Sequence, residues 1–192
     1  MDDDYYSIES ILSENQKIQC TFKIDIEGMG HLAGGDEKDI KQLTKMQLPL
    51  WMSCMIVTMD WADWHIPTPF SSRVRNALNA EAKSVRLSSL VGAGGLWYGF
   101  GRSLMEKMLQ GAAAAEMSRI LTKAFHSRLV EVIDQAQHFG ALGPAGGSGQ
   151  SGDSAQSFRE GLDATEREMF ALAQESAKRT KRWYETSDRA TK

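Results

Sequence analysis

The N-terminal part of the chain contains a regular alternation of apolar and polar residues. The apolar members of this alternation are Ile18, Cys20, Phe22, Ile24 and Ile26. A period of two residues is typical of a β-strand that buries one face and exposes the other. The pattern therefore predicts a strand whose apolar side chains point into a core.

Shorter elements are predicted on either side of this strand. Ser7 is suited to cap a short helix over residues 8–13, whose apolar side chains would be buried. Glycines further along the chain mark turns and leave room for short strands at residues 29–32 and 43–48. The first quarter of the chain is therefore predicted to be rich in β-structure.

From Pro49 onward, the apolar residues recur at helical spacing, and proline itself is suited to the first turn of a helix. The run from Leu50 to Val57 is apolar nearly all round, so this first helix requires cover on most sides. Four further helices are predicted. They start at Ser71 or Ser72, near Leu96, at Ala112 and near Phe158. A glycine-rich stretch at residues 140–156 precedes the last helix and is predicted to be a flexible loop.

These patterns together predict an α+β fold that is mostly α. A small β-rich domain is expected over residues 1–46 and a five-helix domain over residues 47–192, with residues 140–156 as an internal loop. The charge changes near the same boundary, because residues 1–45 carry 10 acidic and 5 basic side chains while the whole chain has a net charge of −3. A unit of about 45 residues is too small to be stable alone, so we expect it to pack on the helices.

Composition narrows the class of protein further. The chain has 192 residues, of which 42% are hydrophobic and 24% charged, and these values are typical of a globular protein with a buried core. No run of apolar residues is long enough for a membrane span, and the acidic start is unlike a secretory signal. Cys20 and Cys54 do not suffice for a disulfide framework, which fits a reducing compartment.

The residue types that usually carry chemistry form no recognisable site. The histidines and cysteines are scattered, without the spacing of zinc ligands. Gly28–Ala33 matches the pattern G-x-G-x-x-A, but a glycine pair follows where the dinucleotide fingerprint needs a helix. We therefore expect no catalytic residues, no cofactor and no metal ion.

Two sets of side chains are candidates for binding. The first set is large and apolar, and a small helical body has too little interior to hide all of it. Its members are Leu50, Trp51, Trp61, Trp64, Trp97, Tyr98 and Phe100. The second set is a basic cluster whose members are Lys178, Arg179, Lys181 and Arg182. This basic cluster is open to two interpretations, namely cations that complement a helix C-terminus or weak contact with nucleic acid.

Several motifs, in a fixed order along the chain, are similar to those of a known family. They are the strand and turn Cys20–Gly30, the motif Leu48-Pro49-Leu50-Trp51, the segment Pro69–Leu78 and the motif Trp97-Tyr98-Gly99-Phe100-Gly101. On these motifs the chain resembles the third Psf subunits of the GINS DNA-replication complex, in their fungal form. The resemblance extends over nearly the whole chain.

This resemblance implies a β-rich B domain followed by a helical A domain, and a non-enzymatic role in the nucleus. It implies one subunit of a heterotetramer with three related proteins. That tetramer would join the Mcm hexamer and the Cdc forty-five protein in the replicative helicase and would help to engage the leading-strand DNA polymerase. Its role would lie in the initiation and elongation of chromosomal DNA replication. The residues by themselves also allow a stand-alone helical adaptor with a small β module, which is expected to be a soluble monomer.

Overall fold

The computed structural model describes residues 6–34, 36–92, 94–142 and 150–190 of the chain. Seven α-helices lie in these ranges: α1 (Ile8–Glu14), α2 (Leu50–Thr58), α3 (Ser72–Glu81), α4 (Trp97–Lys107), α5 (Gly111–Leu142), α6 (Gln150–Glu160) and α7 (Ala164–Ala190). Three strands lie there as well: β1 (Lys17–Phe22), β2 (Lys45–Pro49) and β3 (Ala62–Trp64). The predicted class, α+β and mostly α, is confirmed. None of the described helices is both long and apolar enough to cross a lipid bilayer.

The three strands form one antiparallel sheet in the order β2-β1-β3. The alternate side chains Ile18, Cys20 and Phe22 of the central strand are at most 1% exposed, as the period of two predicts. Burying a side chain the size of Phe22 stabilises the fold by about 1.5–3 kcal/mol. The buried face ends at this residue, because Ile24 lies beyond the strand and is 41% exposed.

The predicted strand at residues 43–48 begins late because its first residues form a β-bulge. The Leu43 N–H donates to the Phe22 carbonyl at 2.8 Å, and the Phe22 N–H donates to the Thr44 carbonyl at 3.0 Å. Leu43 and Thr44 therefore both lie opposite the single residue Phe22. Leu43 has a φ of 67°, the left-handed conformation that glycine usually supplies at this position of a bulge. Regular pairing therefore starts at Lys45.

The predicted strand at residues 29–32 is wrong, because Gly30–Ala33 form a 3₁₀ helix. The Gly30 N–H donates to the Lys38 carbonyl at 3.0 Å. A Cβ at Gly30 would collide with the Glu37 carbonyl oxygen. The close approach of this later backbone holds the segment in a turn, and a glycine is required there.

Helix α1 begins as predicted, with Ser7 as its N-cap, whose hydroxyl accepts a backbone N–H at 3.5 Å. Its apolar side chains are less buried than expected, since Ile8 and Ile11 are 73% and 54% exposed. The helix instead turns Ser13 towards α4. A Cβ at Gly99 would lie 2.5 Å from the Ser13 hydroxyl oxygen, so this glycine allows the two helices to approach closely.

One hydrophobic core extends from the inner face of the sheet into the helices. At its centre, the Phe70 ring lies 5.2 Å from the Trp97 ring and 5.5 Å from the Phe100 ring, measured between centroids. Leu104, one turn further along α4, is fully buried beside them. The small β-rich part therefore packs on the helical part, as its size led us to expect.

The predicted fifth helix is two helices, α6 and α7, which are separated at Gly161. A Cβ at this glycine would lie 2.9 Å from the Cα of Arg86, so the two backbones pass very close to each other. A smaller core forms at this junction from Val132, Phe158 and Leu162. In the described part of the chain, six helices rather than five therefore follow the first two strands.

The expected loop at residues 140–156 overlaps two helices, and the expected domain boundary falls within a strand. Residues 140–142 end α5 and residues 150–156 belong to α6, while residues 143–149 of the expected loop lie outside the described residues. The boundary expected after residue 46 falls within β2, and β3 follows it in the same sheet.

Candidate protein-interaction site

The helix α2 carries no charged residue, and one side of it faces away from the core. Trp51, Met55 and Met59 recur every four residues and are 46%, 56% and 55% exposed. Residues at this spacing lie along one face of a helix. We call these three side chains the α2 strip. An uncharged strip of this kind is typical of a surface that contacts another protein.

The opposite side of α2 is fixed to the sheet and to α4. Leu50 is fully buried, and the hydroxyl of the buried Ser53 donates to the Pro49 carbonyl at 3.0 Å. The Cys54 sulfur lies 3.2 Å from the Met108 sulfur at the end of α4. The α2 strip is therefore presented on a rigid element, so little conformational entropy is lost when a partner covers it.

Trp61 extends the exposed apolar surface just beyond α2. It follows Asp60, which has a φ of 58°, and it is 38% exposed. The Lys23 ammonium nearby pairs with Asp60 at 2.6 Å and with Asp63 at 2.9 Å. These two carboxylates raise the pKa of Lys23, Asp60 contributing most. Trp64 is half-buried and packs against the main core.

Three of the seven expected partner-binding side chains belong to the core of this chain. Leu50 and Trp97 are 0% exposed and Phe100 is 2% exposed, so in this fold they present no surface to a partner. The Trp97 indole N–H donates to the Pro69 carbonyl at 3.1 Å. These residues are corrected from partner contacts to core residues. The reason is that Phe70 and the glycines of α4 make room for the rings inside the chain.

A buried ion pair, which the sequence analysis missed, joins α5 to α7. The Arg128 guanidinium donates to both carboxylate oxygens of Glu166, at 2.7 and 2.9 Å, and these side chains are 0% and 2% exposed. Arg128 also donates to the carbonyls of Ala82 and Val85 at 2.7 and 2.8 Å. The Tyr98 hydroxyl donates to Glu166 at 2.9 Å. Loss of one partner would leave a buried charge unpaired, so these contacts fix the helices relative to one another.

Asp163 caps two helices with one carboxylate. Its Oδ1 accepts the Thr165 N–H at 2.9 Å at the start of α7. Its Oδ2 accepts the N–H groups of Trp97 and Tyr98 at 2.5 and 3.3 Å at the start of α4. Glu166 accepts the Asp163 N–H at 3.1 Å, which completes a capping box. A negative carboxylate therefore faces the positive ends of two helices.

Burial shifts two pKa values in this group. Burial raises the pKa of the Asp163 carboxyl above its usual value, and the backbone N–H donors oppose the rise. Burial, followed by the negative charge of Glu166, strongly raises the pKa of the Tyr98 hydroxyl, which therefore stays protonated and acts as a donor. Each group is satisfied by an internal partner, which indicates a structural rather than a catalytic role.

Two signals in the sequence point to this network. Asp163 and Glu166 have the spacing of a capping box, and Arg128 is a charged residue within the apolar stripe of α5. Neither signal shows that Arg128 pairs with Glu166, since 38 residues separate them in the sequence.

The basic cluster lies just past the middle of α7, which continues to Ala190, so the cluster is inside the helix rather than at its C-terminus. Its four side chains are exposed, and Arg179 pairs with Glu175 at 3.0 Å. Trp183 and Tyr184 follow and are 65% and 59% exposed. Within the described ranges, no group of three or more histidine, cysteine, aspartate or glutamate side chains is placed to hold a metal ion.

Comparison with known proteins identifies the family. Residues 6–58 match the family described as the PSF3 N-terminal domain, and residues 69–185 match the GINS complex protein helical bundle domain. The chain belongs to the Psf3 family of GINS complex proteins. The first matched segment covers β1, β2 and α2, and the second covers the helical part with the Asp163 network and the basic cluster, while β3 lies between the two segments.

Curated relatives over most of the chain carry the same family name. A protein of Aspergillus fumigatus named DNA replication complex GINS protein psf3 is 36% identical over 190 residues, which cover 93% of this chain and 95% of that protein. A protein of Schizosaccharomyces pombe with the same name is 32% identical over 180 residues, covering 94% and 96%. The Psf3 family consists of structural subunits of a replication complex and is not a known enzyme family. Membership implies other GINS subunits as partners.

Proposed function

We propose that this chain is a non-enzymatic structural subunit of a nuclear GINS heterotetramer that contains three related proteins. In this role it acts in the initiation and elongation of chromosomal DNA replication, as part of a replicative helicase with the Mcm hexamer and the Cdc forty-five protein. The same assembly engages the leading-strand DNA polymerase. Family membership supports the assignment to GINS, and the contacts with the helicase and the polymerase are proposed in addition to it.

The single observation that carries the role as an obligate subunit is the α2 strip. A helix without a charged residue is stable in water only where its apolar side chains are covered. In this chain the sheet covers one side of α2, while Trp51, Met55 and Met59 lie open. Obligate interfaces resemble a core cut in half, and this strip has that character. We assign the strip, with Trp61 beside it, to the contact with a sister subunit.

The test is co-expression of the chain with its sister subunits and measurement of the complex by light scattering. Trp51→Ala is expected to weaken assembly by about 2 kcal/mol or more, roughly 30-fold, because truncating a central tryptophan removes a binding hot spot. The matched control is Trp183→Ala, which removes a tryptophan that is 65% exposed and lies outside the strip.

Two results would contradict the proposal. If the wild-type chain expressed alone were a stable, monodisperse monomer, the stand-alone adaptor would be the better assignment. If Trp51→Ala and Trp183→Ala had equal effects on assembly, the α2 strip would not be the subunit contact. Co-purification from a nuclear extract, followed by mass spectrometry, tests the helicase and polymerase partners directly.

A further inference from the structure

A cleft of about 420 Å³ lies where the sheet meets the helical part, on the side of the sheet opposite to the core. Its floor comes from the start of β1 and from β2, and its walls come from the segment at residues 66–69 and the loop at residues 90–92. The volume is within the range of sites that bind small ligands or short peptide segments. This cleft is separate from the α2 strip and from the Asp163 network.

The walls of the cleft are held in place by hydrogen bonds to its floor. The His65 N–H donates to the Gln19 carbonyl at 2.9 Å, which fixes the start of one wall. The Gly92 N–H donates to the Gln16 side-chain carbonyl at 3.1 Å, which fixes the other wall. The cleft is therefore preformed, and binding there would not require the two walls to be ordered first.

The floor presents two side-chain amides next to each other. Gln19 and Gln47 are directly opposite in the pairing of β1 with β2, so their Cβ atoms lie about 5 Å apart on the exposed face. Among the residues that the structure describes, neither amide has a hydrogen-bond partner. Each amide offers donors and an acceptor, the groups that pair with the N–H and C=O of an extended peptide backbone.

The remaining lining supplies one charge and an apolar wall. Lys17, two residues before Gln19 on the same face of β1, is the charged residue of the lining. In the described part of the chain its ammonium group forms no ion pair. Ile66 is 54% exposed, and Val91 is half-buried on the opposite wall. A ligand with an aliphatic side chain and a carboxylate matches both features.

We propose that this cleft binds an extended peptide segment of a partner protein, in which an aliphatic residue is followed closely by an acidic one. The Gln19 and Gln47 amides pair with the peptide backbone, the aliphatic side chain lies between Ile66 and Val91, and the carboxylate pairs with the Lys17 ammonium. Charge complementarity selects this occupant, since the lining contains a cation and no carboxylate. The site adds a partner contact to the proposed function, and its test rests on that function because it uses the co-purified complex.

The experiment uses the chain co-purified with its sister subunits and fluorescein-labelled heptapeptides, with binding measured by fluorescence anisotropy at low salt. Three probes place a glutamate one, two or three positions after a single leucine, and each has matched versions with glutamine or lysine in place of the glutamate. For at least one spacing, the glutamate peptide is expected to bind about fivefold more tightly than the glutamine peptide. Lys17→Glu is expected to reverse this order.

A matched control and a site readout separate this proposal from nonspecific attraction. Lys45→Glu reverses a charge on the same face of the sheet, outside the cleft, and is expected to leave the order of the peptides unchanged. Photo-leucine in place of leucine is expected to crosslink to residues 66–69 or 90–92.

Three outcomes would overturn the proposal. The first is that no glutamate peptide binds more tightly than its glutamine version. The second is that Lys17→Glu and Lys45→Glu have the same effect. The third is that free N-acetylglutamate competes as well as the peptide does, which would make the cleft a site for small carboxylates. Because Lys17 is exposed, its variant is expected to co-purify normally with the sister subunits, so failure here is distinct from failure of subunit assembly.

Discussion

Replacing Asp163 with alanine is expected to loosen two helices that are far apart in the sequence. The substitution removes the acceptor for the Thr165 N–H of α7 and for the Trp97 and Tyr98 N–H groups of α4. The Asp163 carboxylate is fully buried, so water does not readily replace it as the acceptor for these N–H groups. The change therefore acts at one residue but at two helix starts.

The magnitude follows from the number of helix caps that the substitution removes. One N-cap is worth about 0.5–2 kcal/mol, so two caps together give about 1–4 kcal/mol. Asp163→Asn keeps one acceptor oxygen but turns an NH₂ group towards backbone donors, so we expect about half of that loss. The pair between Arg128 and Glu166 has its own contacts and is expected to survive both changes.

Amide hydrogen exchange in the co-expressed complex measures this loss locally. Opening free energies are expected to fall at residues 97–98 and at residues 165–167, because exchange reports local stability segment by segment. Glu185→Gln is the matched control, since it removes an exposed carboxylate near the end of α7, away from both helix starts. If protection fell at the start of α7 and stayed unchanged at the start of α4, the double cap would be refuted. A cost below about 0.5 kcal/mol would refute it as well.

Three other predictions concern separate parts of the molecule. Leu43→Gly is expected to stabilise the chain by about 0.5–1 kcal/mol in chemical denaturation, because relief of the left-handed backbone exceeds the entropy cost of glycine; destabilisation would contradict the bulge. The hydrogen bond from Lys83 lowers the pKa of Glu131. The stabilisation that this pair gives the fold is therefore present above the usual glutamate pKa and is lost as the pH falls through the lowered pKa. Lys83→Met should remove that pH dependence, and an unchanged acid profile would show that the pair has no effect. The double variant Lys181→Glu, Arg182→Glu should weaken binding of the complex to single-stranded DNA. Titration at several salt concentrations should show that the slope of the salt dependence falls by about 0.7 for each phosphate that is no longer neutralised. An unchanged slope would exclude DNA binding by the basic cluster.

Local periodicity was sufficient to predict the central strand and most of the helices. The alternation at Ile18, Cys20 and Phe22 depends on neighbours within a few residues, and so does the apolar stripe of α4. The same local reasoning placed Ser7 at the start of α1. Such features follow from backbone geometry, because a strand repeats every two residues and an α-helix every 3.6.

Which large side chains are buried was decided by the tertiary structure. Trp51 and Trp97 both lie in the first turn of a helix, yet the first is 46% exposed and the second is buried. Trp97 is buried because Phe70 packs against it, while Trp51 points away from the sheet that covers the other side of α2. Asp163 shows the same limit, since its cap on α7 is visible in the sequence and its cap on α4 is not. Contacts across 66 residues depend on where whole elements are placed, and no local period carries that information.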